Sequence, residues 1–280
     1  MSKVIVEVSQ GIATITFNRP KSLNAIERED YHAFAEALRA IDKRTDVIAT
    51  IWQANGTWFS AGTSVKRTVD PSKIHSARDF FTDSIAVVNT DVSRALYTHS
   101  KILVAALNGP VMGIAAAFLG HFDFIYALPG AWLSVPFTFL GKSPFRMSPT
   151  EQPRIVAEAG SSVTFRNRMG AAKANEVLIF GKKKEAQELL ECGFINKIFP
   201  EQPVPAFQAA VRKHVLSELD GLDPSAVLGV KSVIKAGFND QHSLDTVNLR
   251  ESYAQADRFE TGIPLERFAK IARKEIKHKL

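Results

Sequence analysis

The stretch Leu107-Asn-Gly-Pro-Val-Met-Gly-Ile-Ala-Ala-Ala117 decides the fold of this chain. It ends a short apolar run that is typical of a strand buried on both faces. The Asn-Gly-Pro sequence predicts a sharp turn, and the small residues after it predict a helix near residues 112–120. Since a helix N-terminus presents unpaired N–H groups, this turn offers hydrogen-bond donors to a ligand.

Strand and helix patterns alternate on both sides of this stretch. Apolar alternation or short apolar runs predict strands at residues 4–8, 12–17, 47–52, 101–107, 123–127 and 194–199. Helical spacing of apolar residues predicts helices at residues 31–41, 76–98, 112–120, 185–191, 205–219, 224–237, 242–258 and 264–277. We therefore expect an α/β core of repeated ββα units over residues 1–200 and a helical region over residues 201–280.

Composition and charge exclude several classes of protein. The 280 residues are 45% hydrophobic and 23% charged, which is ordinary for a globular chain. Of the net charge of +6, residues 267–280 hold six Lys/Arg against one Glu, so the rest is nearly neutral. Neither a nucleic-acid partner nor a membrane partner is expected, because the body lacks a broad basic surplus and a long apolar run. The lone Cys192 excludes an internal disulfide.

Several common motifs are missing from the sequence. No G-x-G-x-x-G follows a strand, no G-x-S-x-G is present, and the seven histidines form no H-E-x-x-H. We therefore expect no metal and no dinucleotide cofactor. Cys192 ends a predicted helix, where a thiolate is not favoured, and we expect it to be inert.

A second backbone feature is Phe59-Ser-Ala-Gly-Thr63, after the predicted strand 47–52. Its small residues allow a ligand close to the main chain. If its N–H groups face those that begin the helix after Gly113, the two segments make an oxyanion hole for a thioester or ester carbonyl. The alternative is two tight turns in a packed core.

These two stretches, followed by Asp123-Phe-Ile-Tyr-Ala127, resemble the crotonase (enoyl-CoA hydratase/isomerase) superfamily. Further blocks keep the same order: Asn24-Ala25, residues 135–141, residues 167–170 and residues 191–198. The resemblance implies a spiral of repeated ββα units with a C-terminal helical trimerisation region. The substrate it implies is an acyl-CoA thioester, with coenzyme A as part of the substrate rather than a cofactor, and the assembly a homotrimer or hexamer.

The resemblance also implies roles for individual residues. The N–H groups of Ala61 and Ile114 would form the oxyanion hole. Coenzyme A would lie along residues 60–66. The implied CoA-binding residues are Ser60, Ala61, Gly62 and Lys66, and the implied acyl pocket contains Phe137 and Leu140. Lys66 is equally read as a solvated loop lysine.

The acid/base residues decide which reaction is expected. Hydratases of the family use two carboxylates, and the matching positions here are Ala117 and Phe137. Fungal peroxisomal Δ3,Δ2-enoyl-CoA isomerases instead use one glutamate, in a block that Ala157-Glu158-Ala-Gly-Ser-Ser162 resembles. A single carboxyl with a raised pKa suffices to move a proton from C2 to C4. Glu158 is therefore the predicted catalytic residue. The alternative is a surface glutamate in the first turn of a helix.

Residues 142–154 depart from the isomerase pattern and are interpreted as an inserted loop. Three outcomes are open: the loop leaves Glu158 in place, displaces it, or puts Glu151 in its role. We expect a Δ3,Δ2-enoyl-CoA isomerase of fatty-acid β-oxidation or of a specialised acyl pathway. The alternatives are a hydratase with a rearranged acid/base set and an inactive acyl-CoA-binding subunit. The terminal His278-Lys279-Leu280 resembles a peroxisomal address, so the peroxisome and its import receptor are expected.

Overall fold

The structure is a computed structural model that describes residues 3–64, 76–137 and 157–260, together with residues 269, 270, 273 and 275. Its strands are β1 (Val4–Ser9), β2 (Ile12–Phe17), β3 (Ala49–Ala54), β4 (Ile102–Leu107), β5 (Val111–Met112), β6 (Phe124–Ala127), β7 (Trp132–Ser134), β8 (Lys184–Glu185) and β9 (Lys197–Ile198). Its α-helices are α1 (Arg28–Asp42), α2 (Ala77–Phe80), α3 (Asp91–Thr98), α4 (Ile114–Phe118), α5 (Ser161–Phe180), α6 (Ala186–Glu191), α7 (Val204–Leu219), α8 (Pro224–Gln241) and α9 (Leu244–Glu260).

A six-stranded sheet forms the centre, in the order β1-β2-β3-β4-β6-β9. Strands β1 and β2 make an antiparallel hairpin, and every other neighbouring pair is parallel. The parallel strands leave the sheet at one edge, so the segments that follow β3 and β4 meet there. These segments are the two glycine-containing stretches that the sequence singled out.

The central strands are buried on both faces, as the continuous apolar runs predict. Phe17, Trp52 and Leu103 point into one apolar cluster, which α1, α3 and α4 also line. Their neighbours Ile51 and Val104 point into a second cluster on the opposite face. There α7 packs through residues such as Phe207, Val211 and Val215. Two helical layers therefore hold the sheet rigid beneath the edge where β3 and β4 end.

A smaller sheet lies beside this edge, in the order β5-β7-β8. Strand β5 is two residues long and pairs in parallel with β7. A single bridge between Ser60 and Val111 joins the segment after β3 to this sheet. The small sheet therefore fixes the start of α4 relative to residues 59–64.

One predicted helix is divided in the structure. Residues 76–98 form α2, a π-helix at Phe81–Thr90, and α3. π-Helices are rare and frequently occur at functional sites. Helix α9 packs along this π-helix, with Phe81 and Tyr253 stacked at a centroid separation of 4.6 Å. The chain after the sheet is helical through α7, α8 and α9, and no helix among the described residues is long and apolar enough to cross a membrane.

Candidate active site

The segment after β3 and the start of α4 are held together by main-chain hydrogen bonds. Met112 N donates to Ser60 O at 2.9 Å, and Phe59 N donates to Pro110 O at 3.0 Å. The Ser60 hydroxyl donates to Asn24 O at 2.8 Å and accepts from Gly62 N at 3.1 Å. Ser60 is therefore fully occupied in shaping the loop.

Two glycines allow this close approach. Gly62 has a φ of +80°, and a Cβ there would lie 2.7 Å from Met112 O. Gly113 has a φ of +61° and precedes the first residue of α4. A Cβ on Gly113 would lie 3.9 Å from Gly62 Cα. A side chain at Gly62 would collide with Met112 O, and the positive φ angles at both positions favour glycine. The two segments named by the sequence therefore do meet.

The N–H of Ile114 is free to bind a ligand. Ile114 is the first residue of α4, so its N–H has no partner within the helix. Gly113 N donates to Ser134 O at 2.9 Å, and the first helical bond runs from Ala117 N to Gly113 O. Within the described residues no group accepts from Ile114 N, which agrees with the predicted donor.

The predicted donor Ala61 is contradicted by the structure. Its N–H donates to Leu23 O at 2.9 Å, so it cannot serve a substrate. Gly62 N is bound by Ser60, and Ser64 N donates to Ile26 O at 3.0 Å. Of the N–H groups in this loop, the one on Thr63 makes no hydrogen bond with any residue that the structure describes. The free donor therefore lies two residues beyond the predicted one.

The carboxyl group of Glu158 receives two amide donors on one oxygen. Asn89 Nδ2 donates to Glu158 Oε2 at 2.6 Å, and Gln255 Nε2 donates to the same atom at 2.8 Å. Asn89 comes from the π-helix and Gln255 from α9. The other oxygen, Oε1, makes no hydrogen bond to the part of the chain that the structure describes. One oxygen of Glu158 is therefore held, and the other is available for proton transfer.

Burial raises the pKa of Glu158 to about 8, against the lowering effect of the hydrogen bonds from Asn89 and Gln255. The negative charge of Glu251 raises it further. The residue keeps partial exposure while protein atoms surround its carboxyl group, as a general base beside a substrate requires. The prediction that apolar surroundings raise this pKa agrees with the direction found.

The main chain around Glu158 is fixed against the end of α4. His121, in the turn after α4, hydrogen-bonds through Nε2 to Ala159 O at 2.7 Å. Burial lowers the pKa of His121 to about 4, so its ring is neutral at pH 7. Helix α4 has five residues and is about 7 Å long. Helix α4 thus carries Ile114 at its start, and the turn that follows it holds Ala159, the neighbour of Glu158.

The chain resembles known proteins in both sequence and structure. The sequence model of the enoyl-CoA hydratase/isomerase family matches residues 7–248. The chain belongs to this family. It is 34% identical over 289 residues to the Delta(3,5)-Delta(2,4)-dienoyl-CoA isomerase of Pyricularia oryzae, covering 98% of each chain. It is 30% identical to the 3,2-trans-enoyl-CoA isomerase of Saccharomyces cerevisiae, covering 99% of this chain and 97% of the relative.

A solved structure shows the same fold. The crystal structure of enoyl-CoA hydratase/isomerase from Pseudoalteromonas atlantica T6c superposes with a TM-score of 0.79 at 25% identity, over the whole of both chains. The predicted crotonase-like α/β fold is confirmed.

The two positions that match the hydratase carboxylates of this family are apolar and enclosed. Ala117 is completely buried in α4, and Phe137 is 3% exposed, and both belong to the main apolar cluster. Phe137 was predicted to line the acyl pocket, and its burial beside α4 is compatible with that role. Neither position offers an acid or a base.

Some predicted residues lie outside the described part of the chain. These are Lys66, Leu140, Glu151, residues 142–154 and His278-Lys279-Leu280. The sequence also missed residues that the structure brings to Glu158. Asn89, Glu251 and Gln255 lie on helices whose apolar spacing gave no sign of a polar site. The resemblance implied Ala61 rather than Thr63, and the hydrogen-bond partners of main-chain N–H groups, which distinguish the two, cannot be read from sequence.

Proposed function

We propose that this protein is an enoyl-CoA isomerase that converts a 3-enoyl-CoA into the 2-trans-enoyl-CoA. The observation that carries this proposal is the carboxyl group of Glu158, whose pKa is raised to about 8 while its Oε1 makes no hydrogen bond with any described residue. The Saccharomyces cerevisiae relative named as a 3,2-trans-enoyl-CoA isomerase supports it.

The reaction needs one proton removed and one returned. Glu158 Oε1 takes a proton from C2 of the 3-enoyl thioester, and the C2–H electron pair forms the double bond of a thioenolate. The N–H groups of Ile114 and Thr63 donate to the thioenolate oxygen. The protonated Glu158 then delivers the proton to C4, the C2–C3 double bond forms, and the thioester carbonyl is restored.

The raised pKa suits both halves of this cycle. A carboxylate with a pKa near 8 binds a proton more strongly than an ordinary glutamate, so it is a better base for C2. Because the pKa stays near the working pH, the protonated form also releases the proton at C4. Addition of water would require a second group to activate the water, and Ala117 and Phe137 provide none.

A related reaction has its own support. The relative from Pyricularia oryzae is named for a shift from 3,5- to 2,4-dienoyl-CoA. That shift returns the proton at C6 rather than C4, so it requires an acid that reaches further along the acyl chain. A substrate panel separates the possibilities. We expect 3-hexenoyl-CoA to be turned over faster than 3,5-octadienoyl-CoA, and crotonyl-CoA not to be hydrated. Hydration of crotonyl-CoA would favour the hydratase, and binding without turnover the inactive subunit.

The variant Glu158→Gln tests the assignment of the base. It keeps the size of the side chain but cannot take a proton, so kcat for 3-hexenoyl-CoA should fall by about 100-fold or more. The dissociation constant for hexanoyl-CoA, measured by calorimetry, should stay within about threefold, since thioester binding rests on main-chain donors. The control is Glu201→Gln, at an exposed position between β9 and α7. Turnover by Glu158→Gln at the wild-type rate contradicts the assignment.

The same proposal includes the substrate-binding residues, the assembly and the location. Coenzyme A would lie along Gly62 and Lys66, with Phe137 and Leu140 against the acyl chain, whereas Ser60 is completely buried within the loop. Charge reversal of Lys66 should raise KM for the CoA ester, and an unchanged KM would exclude that residue.

Helix α8 exposes Val230, Val233 and Ile234 by 61%, 72% and 67% in the single chain, which supports burial of this face in a homotrimer or hexamer. Light scattering should give at least three times the chain mass, and a monomer would contradict this. A mouse relative is named as peroxisomal. Removal of His278-Lys279-Leu280 should abolish a peroxisomal location, and retention there would exclude the tail as the address.

A further inference from the structure

Helix α9 buries a stripe of polar side chains. Asn248, Glu251, Ser252 and Gln255 recur at the spacing i, i+3, i+4 and i+7, which places them on one face of the helix. They are 2%, 7%, 2% and 1% exposed. A helix normally packs an apolar stripe against its protein, because buried polar groups are costly unless they are hydrogen-bonded. This face therefore has a purpose besides packing.

Gln255 contacts Glu158 itself, Asn248 and Ser252 contact the neighbour of Asn89, and Glu251 contacts the main chain just after Glu158. Asn248 Nδ2 donates to Thr90 O at 3.0 Å, and Thr90 Oγ1 donates to Ser252 Oγ at 2.8 Å. Thr90 directly follows Asn89, the amide donor on the π-helix. These contacts fix α9 against the segment that carries the first donor to Glu158.

Glu251 holds the main chain on the other side of Glu158. Gly160 N donates to Glu251 Oε2 at 2.6 Å, and Ser162 N and Oγ both donate to Oε1, the former at 3.1 Å. Gly160 is the N-cap of α5, which has no side-chain cap of its own. The carboxylate from α9 thus replaces the missing cap two residues after Glu158.

Gln255 uses only the donor end of its amide. Its Nε2 donates to Glu158 Oε2 at 2.8 Å, whereas its Oε1 is buried and has no partner among the described residues. Within the described residues, the hydrogen bond to Glu158 is the one that the amide of Gln255 makes. The donor directed at Glu158 is therefore the end that matters.

We propose that Gln255 is a positioning residue for the general base, and that α9 completes the acid–base site through its polar stripe. This inference rests on the proposed function of Glu158. Together with Asn89, Gln255 makes Oε2 an acceptor of two N–H groups, so the proton carried during turnover resides on Oε1. The same two bonds fix the plane of the carboxyl group.

Loss of the Gln255 donor has a defined effect on the pH profile. A donor stabilises the carboxylate, so its removal raises the pKa of Glu158 further. The charged or titratable groups around this carboxyl are Glu251 on α9, which has Arg250 beside it, and the neutral His121 in the turn after α4. None of them replaces the lost donor, because Glu251 bears the wrong charge, His121 is bound to Ala159 O, and Arg250 is exposed.

The test is Gln255→Met, which keeps the length of the side chain and removes the donor. The midpoint of the kcat/KM profile for 3-hexenoyl-CoA should move upward by about one pH unit, which is a tenfold loss of rate below the midpoint. The dissociation constant for hexanoyl-CoA should stay at the wild-type value. The control is Gln187→Met, at an exposed position of α6 where the amide contacts Glu191.

A second variant covers a failure of the first to fold. Gln255→Glu keeps size and polarity, and it places a second carboxyl at Oε2, so the two groups share a proton and the midpoint again moves upward. An unchanged midpoint in the variants that fold overturns the proposal. So does failure of both to fold, which would assign Gln255 to stability. Failure of the proposed function looks different, because the wild-type protein itself would then not isomerise 3-hexenoyl-CoA.

Discussion

The proposed oxyanion donors and the proposed acid–base site are built in opposite ways. The donors are main-chain groups of two short segments, residues 59–64 and 111–114, which small residues and two glycines bring together. The acid–base site joins Glu158, in the loop before α5, to side chains from two helical segments, with Asn89 and Gln255 separated from Glu158 by 69 and 97 positions. A site made of main-chain groups can be predicted from short segments of sequence. A site made of side chains from distant parts of the chain cannot.

The largest expected effect in the donor region comes from removing single N–H groups. Replacement of Thr63 or of Ile114 by its α-hydroxy acid analogue changes the amide to an ester, which deletes the N–H and keeps the side chain. Each change should lower kcat by about 100- to 1,000-fold, as for other oxyanion donors. The rate is measured from the conjugated thioester absorbance of the product.

The same replacement at Ala61 tests whether Ala61 or Thr63 supplies the donor in this loop. It removes only the bond to Leu23, so we expect a loss of stability with much less effect on kcat. A loss of kcat at position 61 as large as that at position 63 would restore Ala61 as the donor and contradict the structure.

The two donor positions show how far local sequence reaches. The glycines, the turn before α4 and the apolar strands pointed to a meeting of these segments, with two tight turns as the alternative, and the resemblance to the family implied Ile114 as a donor. The choice between Ala61 and Thr63 depended on which N–H is already bound. Leu23, which accepts from Ala61, is 38 residues away and has a left-handed φ of 54°. Nothing in the loop itself predicts that contact.

In the acid–base region, the next largest effect is expected from Glu251→Gln. An amide supplies one acceptor oxygen where the carboxylate receives three hydrogen bonds, so at least one donor loses its partner. The free energy of unfolding should fall by about 1–3 kcal/mol, measured with urea. The lost negative charge should also lower the pKa of Glu158, which moves the rate profile in the direction opposite to Gln255→Met. A shift in the same direction would contradict the arrangement.

The polar stripe of α9 explains why the hydrogen-bond partners of Glu158 were not predicted from the sequence. Apolar spacing correctly predicted a helix at residues 242–258, close to the observed Leu244–Glu260. That spacing gave no sign of a buried polar face. Here the buried face contains polar residues because their partners, Glu158, Gly160 and Thr90, come from other parts of the chain. Glu158 itself was found only through a resemblance to family members.

The smallest expected effect is the pH dependence that Glu158 gives to the free energy of unfolding. Since the folded-state pKa of Glu158 is about 8, above its ordinary value, the folded protein keeps a proton that the unfolded chain releases. Its contribution to stability is therefore present at low pH and is lost as the pH rises towards 8. Between pH 6 and 7.5 the difference in unfolding free energy between wild type and Glu158→Gln should change by about 1.4 kcal/mol per pH unit.

The two buried histidines do not change this difference in unfolding free energy between wild type and Glu158→Gln. The pKa of His121 is lowered to about 4 and that of His99 to about 3, but both titrate equally in wild type and variant. A difference that does not change with pH would show that Glu158 has an ordinary pKa.

The central claim is that Glu158, with its raised pKa, is the base that removes the C2 proton. The most direct measurement is kcat/KM for 3-hexenoyl-CoA from pH 5.5 to 9.5 in wild type and in Glu158→Gln. The wild-type logarithm should rise with unit slope and level off near pH 8, while the residual rate of the variant should show no such rise. A wild-type profile that is already flat from pH 5.5 upward, or a variant that keeps the rise, would contradict the account.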